Sequence, residues 1–229
     1  MKSILLIGQS NMAGRGEMGS VEEIHNEKIF MLRKDAWVPM QEPVHTDKPE
    51  LAGVGLCASF ADAFVKRYGE AIGLIPCAMG GSALDEWKKG EPFYEYAVTC
   101  AKKAQETSEI IGILWHQGEA DCNDEQLIAS YESRFLSMLS DLLCDLSLPN
   151  SIPVVLGELG DYMEIHNGNT LYRELNHVFL QMAKTHANFA LASAKGLVDK
   201  GDTLHFDAKS QREFGLRYFA AFDQLLRAR

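Results

Sequence analysis

Long apolar runs are missing from this chain. No stretch approaches the ~20 residues that cross a bilayer as a helix, which excludes a helical membrane protein. A basic excess is missing too: 22 Lys and Arg stand against 32 Asp and Glu, for a net charge of −10. Nucleic-acid binding and adhesion to anionic membrane both rest on Lys and Arg meeting phosphate, so neither partner is expected. Cysteine is sparse. Cys57, Cys77, Cys100, Cys122 and Cys144 make an odd set with no two closer than 20 positions, which gives neither a C-x-x-C pair nor a zinc ribbon and fits reduced thiols. No Gly/Ser linker, internal repeat or low-complexity tract divides the 229 residues, so residues 1–229 are expected to form one domain. A chain of this length buries roughly 70% of its unfolded surface without a disulfide or metal staple. The opening Met1 to Gly8 has an apolar core of only four residues before Gln9, Ser10 and Asn11. That is too short for a signal peptide, and it reads as a first strand in a cytoplasmic protein.

What is present is a regular alternation, in a chain that is 46% hydrophobic and 24% charged. Short apolar runs at Ile4 to Ile7, Ala71 to Ala78, Ile110 to His116, Pro153 to Leu159 and Phe189 to Ala194 read as strands. Between and after them, Leu56 to Tyr68, Phe93 to Thr107, Asp124 to Leu146, Asn169 to His186 and Asp207 to Arg227 repeat at helical period. Asn123, with Gln126 three positions on, is the expected cap of the third helix. Continuous apolar strands separated by helices indicate a parallel sheet covered on both faces. The expected fold is therefore α/β, with five parallel strands. Lys28 to Arg33 and Trp37 to Met40 interrupt the pattern as a small hairpin, and the loop at residues 35–55 carries no readable role.

In such sheets ligands bind beyond the carboxyl ends of the strands, and that is where the small polar residues cluster. Gly8-Gln9-Ser10-Asn11-Met12-Ala13-Gly14 follows the first run. A serine there can present its hydroxyl at the top of the sheet, or can merely cap a short helix. Met12 takes the last glycine position of a G-x-S-x-G elbow. Serine needs a positioned base to become a nucleophile. The best candidate is His205, with Asp202 three residues earlier in a polar loop able to hold the imidazole Nδ1–H. Oxyanion donors are also required. Gly80-Gly81 after the second run offers unobstructed backbone N–H groups, and Gln117 after the third run offers a side-chain amide. No G-K-[ST] follows the glycines, so a P-loop is excluded. His116, Glu119 and Asp121 invite a metal reading, but the spacing is not H-E-x-x-H and no second histidine lies nearby. No metal is expected; Glu119 instead orients the turn around Ser10 or contacts substrate. His25, His45, His166, His177 and His186 have no nameable partner and are expected to be solvated or capping residues.

In order, Ser10-Asn11, Gly81, Gln117 and Asp202-x-x-His205 resemble the SGNH (GDSL-like) hydrolase superfamily. The segments Gly8 to Gly14 and His116-Gln117-Gly118-Glu119 resemble its branch of sialate O-acetylesterases and family 6 carbohydrate esterases. The resemblance runs from residue 3 to about 220. It implies a flavodoxin-like three-layer α/β/α sandwich and removal of O-acetyl groups from a carbohydrate through an acyl-serine, with no cofactor. Ser10 would be the nucleophile, His205 the base and Asp202 its orienter. The Ser10 N–H, Gly81 and Gln117 would form the oxyanion hole, and Asn11 and Glu119 would support the site or the substrate. The superfamily more generally places an asparagine in the role that falls here to Gln117. Two rivals remain: a lipid esterase or thioesterase, disfavoured by the polar loop Glu42 to Gly53, and a sugar-binding module without catalysis, which has no need of all three of Ser10, Asp202 and His205.

Overall fold

The apolar run at Ile4 to Ile7 becomes the centre of the molecule. The structure is a computed structural model describing residues 1–166, 168 and 170–228. In it, β1 (Lys2–Gly8) is flanked on both sides by parallel partners, β4 (Ile72–Pro76) and β5 (Glu109–His116). Outside β5 come β6 (Val154–Gly157) and β7 (Phe189–Ala192), also parallel. Helices cover both faces of these strands, which is why their apolar residues run continuously instead of alternating. From β1 the chain steps to β4 on one side and later crosses to β5 on the other. The strand ends of β1 and β5 therefore part at a switch point, the usual place for a ligand in an open α/β sheet.

Among the described residues the sheet has seven strands rather than the expected five, in the order β3 (Ala36–Pro39)-β2 (Ile29–Arg33)-β4-β1-β5-β6-β7. The additional pair is the expected hairpin, β2 (Ile29–Arg33) antiparallel to β3 (Ala36–Pro39), turning through Lys34 and Asp35 at φ 44° and 64°. That is the conformation of a tight hairpin turn whose twist matches its strands. The hairpin does not stand apart, because β2 pairs in parallel with β4. Doing so satisfies the open edge of β4 and buries Ile29 and Met31.

Helix α2 (Leu56–Tyr68) has the expected bounds and ends at Gly69 in the left-handed conformation. Helix α3 spans Pro92–Gln105. The expected Asp124 to Leu146 helix is broken in two, α4 (Glu125–Ala129) and α5 (Tyr131–Asp145), at Ser130. The Ser130 hydroxyl bonds back to the Gln126 carbonyl and accepts from Arg134 Nε. Asp124, not Asn123, is the cap, its carboxylate accepting from the N–H groups of Gln126 and Leu127. Helix α6 spans Tyr172–Thr185, and its expected start at Asn169 lies outside the described residues. Helix α7 (Ala208–Arg227) is capped by Asp207 and buries Phe214, Tyr218 and Phe222, the face its four-residue steps predicted. Helices α2 and α7 pack together on one face of the sheet, and α3, α5 and α6 lie on the other.

Candidate active site

Three strand ends meet because Gly8 has no side chain. Its φ of 128° is open only to glycine, and a Cβ there would overlap the His116 carbonyl. The next residue, Gln9, donates its N–H to that carbonyl at 2.8 Å, while the Met79 N–H bonds to the Gly8 carbonyl at 2.9 Å. Gln9 Oε1 accepts from the N–H groups of Gly118 and Ala120, each at 3.3 Å. The segments after β1, β4 and β5 are thus joined by backbone bonds and the Gln9 side chain. Ser10 then opens the four-residue helix α1 (Ser10–Ala13).

His205 Nε2 lies 3.0 Å from Ser10 Oγ, and His205 Nδ1 lies 2.7 Å from Asp202 Oδ2. The other carboxylate oxygen of Asp202 accepts from the backbone N–H groups of Leu204 at 3.0 Å and His205 at 2.8 Å. Partial burial pushes the Asp202 carboxyl up. The bonds from the His205 ring and from these two N–H groups outweigh that, and hold its pKa at about 2. The imidazole therefore sits between a hydroxyl and a carboxylate that is charged at neutral pH. In that arrangement it can take a proton on Nε2 while Nδ1–H stays bound.

Asn11 holds the loop that carries His205. Its Nδ2 donates to the Leu204 carbonyl at 3.0 Å and its Oδ1 accepts from the Phe206 N–H at 3.1 Å, one residue to each side of the histidine. The same amide donates to Glu119 Oε1 at 2.5 Å, which also lies 3.2 Å from His116 Nε2. Burial pushes the Glu119 carboxyl up, yet the His116 ring and the Asn11 amide more than offset it and keep the pKa below the ordinary value. Glu119 thus orients the turn through Asn11. A pocket of about 400 Å³ lies beside this cluster, lined by Glu119, Asn123, Met163, His166, Thr170 and Leu171 among others. His166 Nδ1 lies 3.1 Å from Thr203 Oγ1, next to Asp202, so the pocket adjoins the histidine loop.

The expected oxyanion role of Gln117 requires correction. Its Nε2 donates to the Ser82 carbonyl at 3.1 Å and to Asp121 Oδ2 at 2.6 Å, so both amide hydrogens are occupied. Its Oε1 accepts from the Tyr131 hydroxyl at 2.6 Å. The side chain is fully buried, and the nearby Asp121 carboxylate is a stronger acceptor than a passing substrate oxygen. Gln117 instead ties the β5 end to the turn after β4. Asp121 extends that brace, accepting from the Leu84 N–H and from Arg134. Gly81 sits in the turn at φ 84°. Among the described residues the backbone N–H groups of Ser10 and Gly81 donate to no protein acceptor, leaving them for a ligand.

Three features escaped the sequence. Arg15 and Asp47 form a buried ion pair at 2.6 Å. Tyr131 and Asp121 complete the network around Gln117. His45, expected to be solvated or capping, is buried. A lone Asp or His in a Pro-containing loop gives no sign of what it will face.

A doubly wound sheet, a serine at the end of its first strand and an Asp-x-x-His loop before its last helix define the SGNH-like class of hydrolases. The chain belongs to the carbohydrate esterase, sialic acid-specific acetylesterase family, whose model matches residues 1–224. It is 32% identical over 241 residues to a probable carbohydrate esterase of Arabidopsis thaliana, covering 95% of this chain and 88% of that protein. The X-ray structure of the Arabidopsis protein matches with a TM-score of 0.87 at 30% identity, over 97% of this chain and 98% of that one. NanS has the same fold, with a TM-score of 0.79 at 19% identity over 99% and 98% of the two chains. So has a carbohydrate acetylesterase from Xanthomonas citri, with a TM-score of 0.73 at 16% identity over 99% of this chain and 57% of that one.

Proposed function

We propose that this carbohydrate esterase removes O-acetyl groups from a sugar by way of an acetyl-serine. The observation that carries the reading is the continuous line from Ser10 Oγ through His205 to Asp202, at 3.0 and 2.7 Å. As Ser10 Oγ attacks the acetyl carbonyl, His205 Nε2 takes its proton, and Asp202 stabilises the imidazolium that forms. The negative charge moving onto the carbonyl oxygen meets the Ser10 and Gly81 N–H groups. Collapse breaks the bond to the sugar oxygen, which leaves with the proton from His205. Water then enters, gives a proton to Nε2 and attacks the acetyl carbon, releasing acetate and restoring Ser10. A sugar as substrate is supported by the family and by the polar pocket beside the histidine loop.

The test is p-nitrophenyl acetate turnover by the wild type and Ser10→Ala side by side, followed by acetate release from acetylated sugars. The expected result is turnover in the wild type alone, reduced in the variant by ~10³-fold or more. Equal rates in the two proteins would remove Ser10 from the mechanism. Rates that rise from acetyl to octanoyl esters would point to a lipid substrate.

A further inference from the structure

The loop at residues 40–55 reaches the Gly80–Gly81 turn through the carboxylate of Asp47. Arg15 Nη2 lies 2.6 Å from Asp47 Oδ2 and Arg15 Nη1 lies 3.3 Å from Asp47 Oδ1, a two-pronged pair with both side chains 2% exposed. Arg15 Nη1 also donates to the Gly14 carbonyl at 2.9 Å, which anchors the pair to the end of the serine segment. Asp47 Oδ2 also accepts from the Gly80 N–H at 2.8 Å, the third bond to this carboxylate. A Cβ on Gly80 would overlap the Arg15 guanidinium and stand 2.9 Å from that carboxylate oxygen, so the ion pair fills the space a side chain would take.

Two consecutive glycines form one of the least restrained turns a chain can make, yet the Gly81 N–H can serve an oxyanion only if its peptide plane is fixed. A buried ion pair adds little net stability, since desolvation offsets most of the attraction. What it supplies here is geometry. We infer that Asp47, held by Arg15, is a positioning residue that locks the Gly80–Gly81 turn and aims the Gly81 N–H at the developing oxyanion. This rests on the acetyl-serine reading above. It gives the loop between β3 and α2 a part in catalysis without contact to substrate.

The test uses the full chain in two variants. Arg15→Met/Asp47→Leu removes both charges and the acceptor together, so no buried charge is orphaned. Asp47→Asn keeps an oxygen within reach of Gly80 but loses the charge. The double variant should lose roughly 10- to 100-fold in kcat, with KM within about twofold of wild type. Phosphonylation of Ser10 by a p-nitrophenyl methylphosphonate ester should slow by the same factor. That reaction forms the Ser10 Oγ–P bond, expels p-nitrophenolate and develops negative charge on the phosphoryl oxygen in the same place. Asp47→Asn should show a smaller loss, roughly threefold or more in kcat. A double variant that melts cooperatively and keeps wild-type kcat, or loses only in KM, overturns the proposal. If the double variant does not fold, an unchanged kcat in Asp47→Asn overturns it. A wild-type rate in Ser10→Ala would instead overturn the acetyl-serine reading itself, so the two failures are distinct.

Discussion

At the scale of the residue, the proposed line from Ser10 through His205 ends on a carboxylate held in its charged form. Asp202 is held at about pH 2 by bonds from the His205 ring and two backbone N–H groups, against the upward push of partial burial. It stays charged through the neutral range. Loss of its charge should therefore cause no fall in kcat/KM above about pH 3. A fall centred near pH 4 that is missing in Asp202→Asn would overturn this. Asp202→Asn keeps the shape but replaces the acceptor for Nδ1–H, so kcat should fall on the order of 10²- to 10⁴-fold. Steady-state rates on p-nitrophenyl acetate across pH read both effects.

At the scale of the element, the loop bearing Asp202 and His205 is placed by the helix that follows it. Helix α7 lies so close to α2 that a Cβ on Gly215 would overlap the Leu56 carbonyl and the Ser59 hydroxyl. The Ser59 hydroxyl bonds across to the Arg212 carbonyl at 2.8 Å. At the start of α7, a Cβ on Gly16 would lie 2.7 Å from Ala208 Cα, so the chain after the serine segment touches the first turn of this helix. Gly215→Ala tests whether propensity or packing decides. Alanine gains about 1 kcal/mol as a helix former, while forcing the two helices apart costs about 1–3 kcal/mol. The expected outcome of thermal melting is a lower Tm, by several degrees at most for a chain of this size. A higher Tm would show that the helices part freely.

At the scale of the whole molecule, acid should destabilise the fold through a histidine that takes no part in the chemistry. His45 lies in the core of the loop that carries Asp47. Burial, only partly offset by attraction to Asp47 and reinforced by Arg33 and Arg15, lowers its pKa to about 3. In the unfolded chain the imidazole takes a proton near its ordinary value of 6.5. Between those values the unfolded state binds more protons, so the stability present above about pH 6.5 is lost as pH falls toward 3. From pH 6.5 to 5 the loss should reach about 2 kcal/mol. His45→Leu should flatten the fall of Tm across that window. An unchanged slope would mean that other groups carry the acid response.

The sequence by itself determined what depends on local period and on motif order. The five apolar runs, the bounds of α2, the buried stripe of α7 and the local Asp202-x-x-His205 pair are all written in short segments, because strand burial, helix amphipathicity and short turns repeat or close over a few residues. Only the tertiary structure decided which groups share a partner. Ser10 and His205 lie 195 positions apart, and Gly80 and Asp47 lie 33 apart. Gln117 illustrates the difference. Its position after β5 is legible, but its two amide hydrogens go to Asp121 and Ser82, which lie on other segments. The hairpin is readable as a hairpin, but its addition to the sheet depends on the bare edge of β4. Hydrogen bonds between distant segments are settled by which acceptor is nearest and strongest once the chain has collapsed, and no local pattern records that choice.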